Sequence, residues 1–133
     1  LDPAPAHFIS SKVIEQATFI TPNEHEAKLL FPSKELNDVL SQNSNKVFIT
    51  EGGKGVRYHN GKDVVLVPTF NVNAVDTTGA GDTFNGAFAV AVGEGKNLTD
   101  SLRFANRAAS LSVTKFGAQG GMPMRIDVEE NMI

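Results

Sequence analysis

No cysteine occurs in these 133 residues, which excludes a disulfide framework and a thiolate-held zinc site and suits a reducing cytoplasm. Histidine is scarce. His7, His25 and His59 stand far apart, none has a partner at metal-ligand spacing, and no Ser–His–Asp arrangement suggests itself. Long apolar runs are missing too, since none approaches the roughly 20 residues needed to span a bilayer. The first residues lack the basic start and apolar core of a secretion signal. Nor is there a large excess of charge of one sign. A formal charge of −3 gives no electrostatic reason to expect nucleic acid or an anionic membrane as partner. What the chain does have is ordinary globular composition, with 41% hydrophobic and 20% charged residues. Its length is one domain's worth, enough to bury roughly two-thirds of the unfolded surface. Nine phenylalanines and one tyrosine read as core, and no repeat, linker or low-complexity tract interrupts the chain.

Turn signals and apolar periodicity set out strands alternating with helices. Pro3 and Pro5 keep the opening extended. A short helix over residues 9–16 and a short buried strand over 18–20 come first. Pro22 and Asn23 then introduce a helix with Ala27, Leu30 and Phe31 on one face, which Pro32 stops. Residues 35–42 allow another short helix. K-V-F-I-T (46–50) is a strand, followed by the glycine-rich E-G-G-K-G. Residues 56–59 and 64–67 form a hairpin through Asn60-Gly61, because both turn residues tolerate positive φ. An apolar, strand-like run over 70–75 leads to two helices. The first, from Thr83 to Val92, presents Phe84, Ala87, Phe88, Ala91 and Val92 on one face. The second, from about Thr99, uses Leu102, Ala105, Ala109 and Val113, with Asp100 favourably placed in its first turn. The expected fold is α/β: a mostly parallel sheet flanked by helices on both faces, with one β-hairpin.

Between the strand-like run and the first long helix lies D-T-T-G-A-G-D-T-F (76–84). Gly79 and Gly81 permit turns that a Cβ would forbid, so that N–H groups converge on one point. That point is a helix start, where unpaired amides and the macrodipole favour an anion. Asp82 sits in the same turn. A carboxylate beside an anion site fits one task well, taking a proton from a hydroxyl that attacks a phosphoryl group held there. A simple helix cap accounts for a lone G-A-G-D equally well.

The nine-residue string as a whole is more specific. It resembles the carboxy-terminal signature of the ribokinase-like sugar kinase family, which includes fructokinases, minor phosphofructokinases and adenosine kinases. The resemblance covers residues 2 to about 123 and corresponds to the second half of a family member. The opening L-D-P-A-P-A is similar to the family's N/D-P-A-P-A, which follows a buried strand. The resemblance thus implies that residues 1–133 are the carboxy-terminal ATP-binding and catalytic part, with the sugar-binding part and lid lying upstream.

Further residues follow from the resemblance. Asp82 would be the catalytic base, and the amides of Gly79, Ala80, Gly81 and Asp82 would stabilise the transferred phosphoryl group, with Gly81 and Asp82 also bordering the nucleotide. T-E-G-G-K-G is not a Walker A loop, because the G-K-[ST] ending is absent, and taken alone it fits an ordinary tight turn. It resembles the family's T-x-G-x-x-G, which borders ATP, with Thr50, Gly52 and Gly55 matching and Gly53 and Lys54 in the same loop. Asn23 and Glu26 form N-x-x-E, which fits a capping box. The family's N-x-x-E lies near the nucleotide at Asn23 and orients Mg²⁺ through water at Glu26. Both roles are compatible. Asn106, a mediocre helix former in mid-helix, matches a position beside adenine or ribose, whereas Arg103 and Arg107 read as solvated surface charges. Asp76, Thr78, Ser112, Lys115, Gly117 and Gly121 match a monovalent cation (K⁺) site, several through carbonyls. Gly121 departs from the family there, since it replaces a hydroxyl side chain and offers only its carbonyl.

The activity implied is ATP-dependent phosphorylation of a sugar hydroxyl by a cytoplasmic homodimer. K-F-G-A-Q (115–119) favours ribose, giving ribose 5-phosphate, whereas G-A-G-D in place of A-A-G-D leans toward a fructokinase-like member. A non-catalytic nucleotide-binding domain and an inactive scaffold are the rival readings.

Overall fold

The computed structural model describes residues 1–130 and Met132. It divides into two compact units, Leu1–Leu66 and Val67–Ile133.

The first unit contains α1 (Ser11–Gln16), α2 (Glu24–Leu30), α3 (Leu36–Gln42), β1 (Ile49–Thr50) and β2 (Gly55–His59). The chain leaves it along β3 (Val64–Pro68), whose last two residues fall in the second unit. The sheet order is β1-β2-β3, with β1 and β2 antiparallel. Two isolated bridges are parallel, Ile20 to Val47 and Asn23 to Thr50. The expected strands over 18–20 and 46–50 are thus reduced to a bridge and a two-residue β1. Alternation still sorts their side chains. Val47 and Ile49 join Ile20, Ala27, Val39 and Leu40 in a buried cluster. Phe48 between them is fully buried as well, against Phe19 and Tyr58 with ring centroids 5.7 and 5.5 Å away. A segment apolar on both faces is what a covered sheet requires.

The hairpin forms, but its turn differs from the expectation. Its loop spans four residues, 60–63, and Asn60 does not adopt positive φ. Instead its Oδ1 accepts from the amides of Lys62 and Asp63, at 2.8 and 2.9 Å. An Asx turn has replaced the tight two-residue turn.

The second unit is built on α4 (Ala80–Gly93) and α5 (Leu98–Ser112), followed by α6 (Ala118–Gly121) and α7 (Arg125–Glu130). Its core brings together Ala91, Phe104, Ala108 and Val128. Phe84 and Phe88, one turn apart on α4, stack at 6.2 Å. Asn97 caps α5 by accepting from the Asp100 amide at 2.9 Å. Residues 70–75 form no strand. A ladder needs a partner strand, and here the amides of Val75 and Asp76 both donate to the Val113 carbonyl instead. No helix among the described residues is long and apolar enough to cross a membrane.

Candidate active site

In the second unit the signature folds into a turn held from both sides. Gly79 is the N-cap of α4 at φ 79° and ψ 5°, a left-handed conformation. A Cβ on it would lie 2.9 Å from the Cβ of Ala118. Conformation and packing both require glycine. Upstream, Asp76 clamps the turn. One carboxylate oxygen accepts from the Thr78 amide and the other from the Gly117 amide, each at 2.9 Å. The Gly117 amide first, then the Thr78 hydroxyl and amide, lower the Asp76 pKa to about 2. The charged form of Asp76 is therefore the one the turn is built around.

No side chain caps α4. The Ala80 amide donates to the Thr77 carbonyl at 3.2 Å, and the Thr83 amide closes the first helical bond to Gly79. The amides of Gly81 and Asp82 make no such backbone bond among the described residues, so they are the donors left at the positive end of the helix. Asp82 is solvent-exposed in that first turn. It borders a groove of about 270 Å³ whose walls include Thr83, Ala87, Val90, Phe104 and Pro123. Arg125, also on the groove, is bound to Glu94 and Glu129.

Six residues expected around a monovalent cation lie along segments that fold back on this turn. Asp76 reaches Gly117, as described. Gly121 packs so closely on α5 that a Cβ would sit 2.3 Å from the Ser112 carbonyl oxygen, and its amide donates to the Gly117 carbonyl at 2.9 Å. The buried Ser112 hydroxyl donates to the Ala109 carbonyl, and its oxygen keeps lone pairs in addition to those of the backbone carbonyl. Thr78 and Lys115 are exposed. No three His, Cys, Asp or Glu side chains converge among the described residues. A cation here would depend on carbonyl, hydroxyl and water oxygens, donors that suit a hard ion.

Asn106 is buried, and its side-chain nitrogen donates to the carbonyls of Val67 and Pro68 at 2.9 and 3.2 Å. It ties α5 to the end of β3, which leaves Oδ1 as its only other polar side-chain atom. Arg107 differs from its expected role as a solvated charge. Its guanidinium lies over the Phe70 ring, 4.9 Å from the centroid. Arg103 is exposed, as expected.

The first unit assembles the other candidates. Asn23 and Glu26 form a complete capping box: the Glu26 amide donates to Asn23 Oδ1, and the Asn23 amide donates to Glu26 Oε2, both at 2.8 Å. Glu26 is only 8% exposed, and Oε2 is the oxygen that serves the helix. The bridge from Asn23 to Thr50, with the Thr50 amide donating to Pro22 at 2.9 Å, sets the box beside the glycine-rich loop. In that loop Gly52–Lys54 make a single 3₁₀ turn. All three are exposed, and Gly55 follows at φ 120°. Sequence reasoning missed one pair here. Glu51 and Arg57 flank the turn and join in an ion pair. The signal was the charge symmetry of E-G-G-K-G-V-R about the glycines.

The pfkB family carbohydrate kinase model matches residues 1–125. Ribokinase of Bacillus subtilis is 60% identical over 98% of this chain, which spans 44% of that protein. An Arabidopsis thaliana ribokinase structure complexed with ribose and ATP matches 99% of the chain and 46% of its own length, at 33% identity and a TM-score of 0.85. A putative ribokinase II from E. coli in complex with ATP and Mg²⁺ matches 90% and 40%, at 28% identity and a TM-score of 0.80. The fold is therefore ribokinase-like and incomplete relative to these structures, since the chain spans less than half of each relative's length. The chain belongs to the pfkB family of carbohydrate kinases.

Proposed function

We propose that this pfkB-family chain is the carboxy-terminal, ATP-binding and catalytic part of a longer sugar kinase that phosphorylates ribose to ribose 5-phosphate. One observation supports this most strongly. The uncapped start of α4 offers the Gly81 and Asp82 amides beside an exposed carboxylate, in a chain 60% identical to a ribokinase.

Asp82 takes the proton of the sugar hydroxyl while its oxygen bonds to the γ-phosphorus of ATP. The bond from that phosphorus to the bridging oxygen breaks, and ADP leaves. The free amides, with that of Gly79, hold the oxygens of the transferred group where charge builds, and the helix dipole adds to their pull. Asn23, Thr50, Gly52, Gly53, Lys54, Gly55 and the Oδ1 of Asn106 border the nucleotide. Mg²⁺, bound with ATP, supplies charge neutralisation across the phosphates. Glu26 would orient its water shell. Oxygens of Asp76, Thr78, Ser112, Lys115, Gly117 and Gly121 would hold a potassium ion, whose charge would stiffen the turn. The whole protein is a cytoplasmic homodimer that draws most of its sugar contacts from the part outside this chain.

The test is ADP production by the longer protein across a panel of sugars with ATP and Mg²⁺. Turnover with ribose at least tenfold more efficient than with fructose is expected. Preference for fructose moves the protein to the fructokinase side of the family. ATP binding without turnover on any sugar overturns the kinase reading.

A further inference from the structure

We propose that the Glu51–Arg57 ion pair is a latch that sets the affinity of the glycine-rich loop for ATP, with Arg57 as its positioning residue. The inference rests on the kinase reading above and names a determinant that reading does not contain.

Strand register explains how the pair forms. Ile49 on β1 faces Arg57 on β2, and Thr50 faces Val56. Side chains alternate along each strand, so Glu51 shares a face with Ile49, and Arg57 meets it diagonally across the ladder. Arg57 Nη2 donates to Glu51 Oε2 at 3.1 Å. Its Nε lies 2.7 Å from Oε1, an ion-pair contact outside hydrogen-bond alignment. The glutamate side chain is only 4% exposed and that of the arginine 34%. A carboxylate taken so far out of water requires its cation.

Little else holds the loop. Gly52, Gly53 and Lys54 are exposed, and a Cβ on either glycine would touch nothing within 4 Å. Neither glycine is therefore held by close packing at its Cα. Apart from the Gly55 amide, which donates to the Gly52 carbonyl, the anchors of the turn run through Glu51: its amide donates to the Gly55 carbonyl at 2.8 Å, its carbonyl accepts from the Lys54 amide at 3.1 Å, and its side chain meets Arg57. Without Arg57 a buried charge is left unpaired, and the simplest relief is rotation of Glu51 toward water. That movement unwinds the turn beside Thr50. A loop ordered before the nucleotide arrives binds it more tightly than one ordered on arrival.

The experiment is steady-state kinetics of the longer protein carrying Arg57→Met, Glu51→Gln, or both. Arg57→Met is expected to raise KM for ATP about tenfold, with kcat and the sugar KM changed less than threefold. The double variant, with no buried charge to strand, is expected to recover most of that loss. Trypsin cleavage after Lys54 reads the same latch without any activity and is expected to quicken in Arg57→Met at unchanged melting temperature. Unaltered KM for ATP and unaltered cleavage in Arg57→Met overturn the latch. If Arg57→Met does not fold, Arg57→Gln decides, since it also leaves the Glu51 carboxylate without its cation and an unchanged cleavage rate there also overturns the latch. A wild-type protein that turns over no sugar defeats the kinase reading instead, while the cleavage result still judges the latch.

Discussion

The chain contains two glycine-rich turns, and they are held in opposite ways. Around Gly52 and Gly53 a Cβ on either glycine would meet nothing, and one neighbouring residue, Glu51, ties the loop to itself and to Arg57 six positions on. Around Gly79 the glycine is wedged against Ala118, and Asp76 is bonded to Gly117, 41 residues away. The first turn suits an exposed border open to a ligand, held in shape by a single residue. The second suits a fixed set of donors, which gain from being rigid before charge develops. Glycine serves access in one and close approach in the other.

Substitutions sharpen that contrast. Gly121→Ala would set a Cβ 2.3 Å from a backbone oxygen that cannot rotate away, and should cost about 3 kcal/mol of unfolding free energy, the upper range for overpacking. Gly79→Ala combines a positive φ with a 2.9 Å approach to Ala118, and should cost about 2 kcal/mol by the same measurement. Gly53→Ala, in open space, should shift stability by no more than about 0.5 kcal/mol. Equal costs at Gly79 and Gly53 would erase the distinction.

Acid separates the two turns in another way. Asp76 is depressed from 3.8 to about 2, so the folded state binds its proton more weakly than the unfolded chain does. The stabilisation is present above the unfolded value near 3.8 and is lost as pH falls through about 2. Asp76→Asn should therefore flatten the acid limb of a stability-against-pH curve between those values. An unchanged limb would show that Asp76 does not clamp the turn.

Much of this was readable in the sequence where the cause is local. N-x-x-E became a capping box because Asn23 and Glu26 need only one helical turn to meet. D-T-T-G-A-G-D opened a helix because glycine and an uncapped start are properties of adjacent residues. What depended on distant partners was not readable. The apolar run 70–75 looks like a strand, yet its final amides are claimed by Val113. Arg107 reads as a surface charge until Phe70 is placed beneath it. Asn60-Gly61 marked the hairpin correctly, but the Asn60 side chain chose a longer turn. The apposition of Gly121 and Ser112 has no local signature at all.

The most direct test of the central claim is the kinetics of Asp82→Asn in the longer protein. The change keeps the shape of the first turn of α4 and removes the proton acceptor. The account predicts a fall in kcat on the order of 10²- to 10⁴-fold, with nucleotide affinity altered less than threefold. Turnover at the wild-type rate would show that the carboxylate beside the α4 amides is not the base.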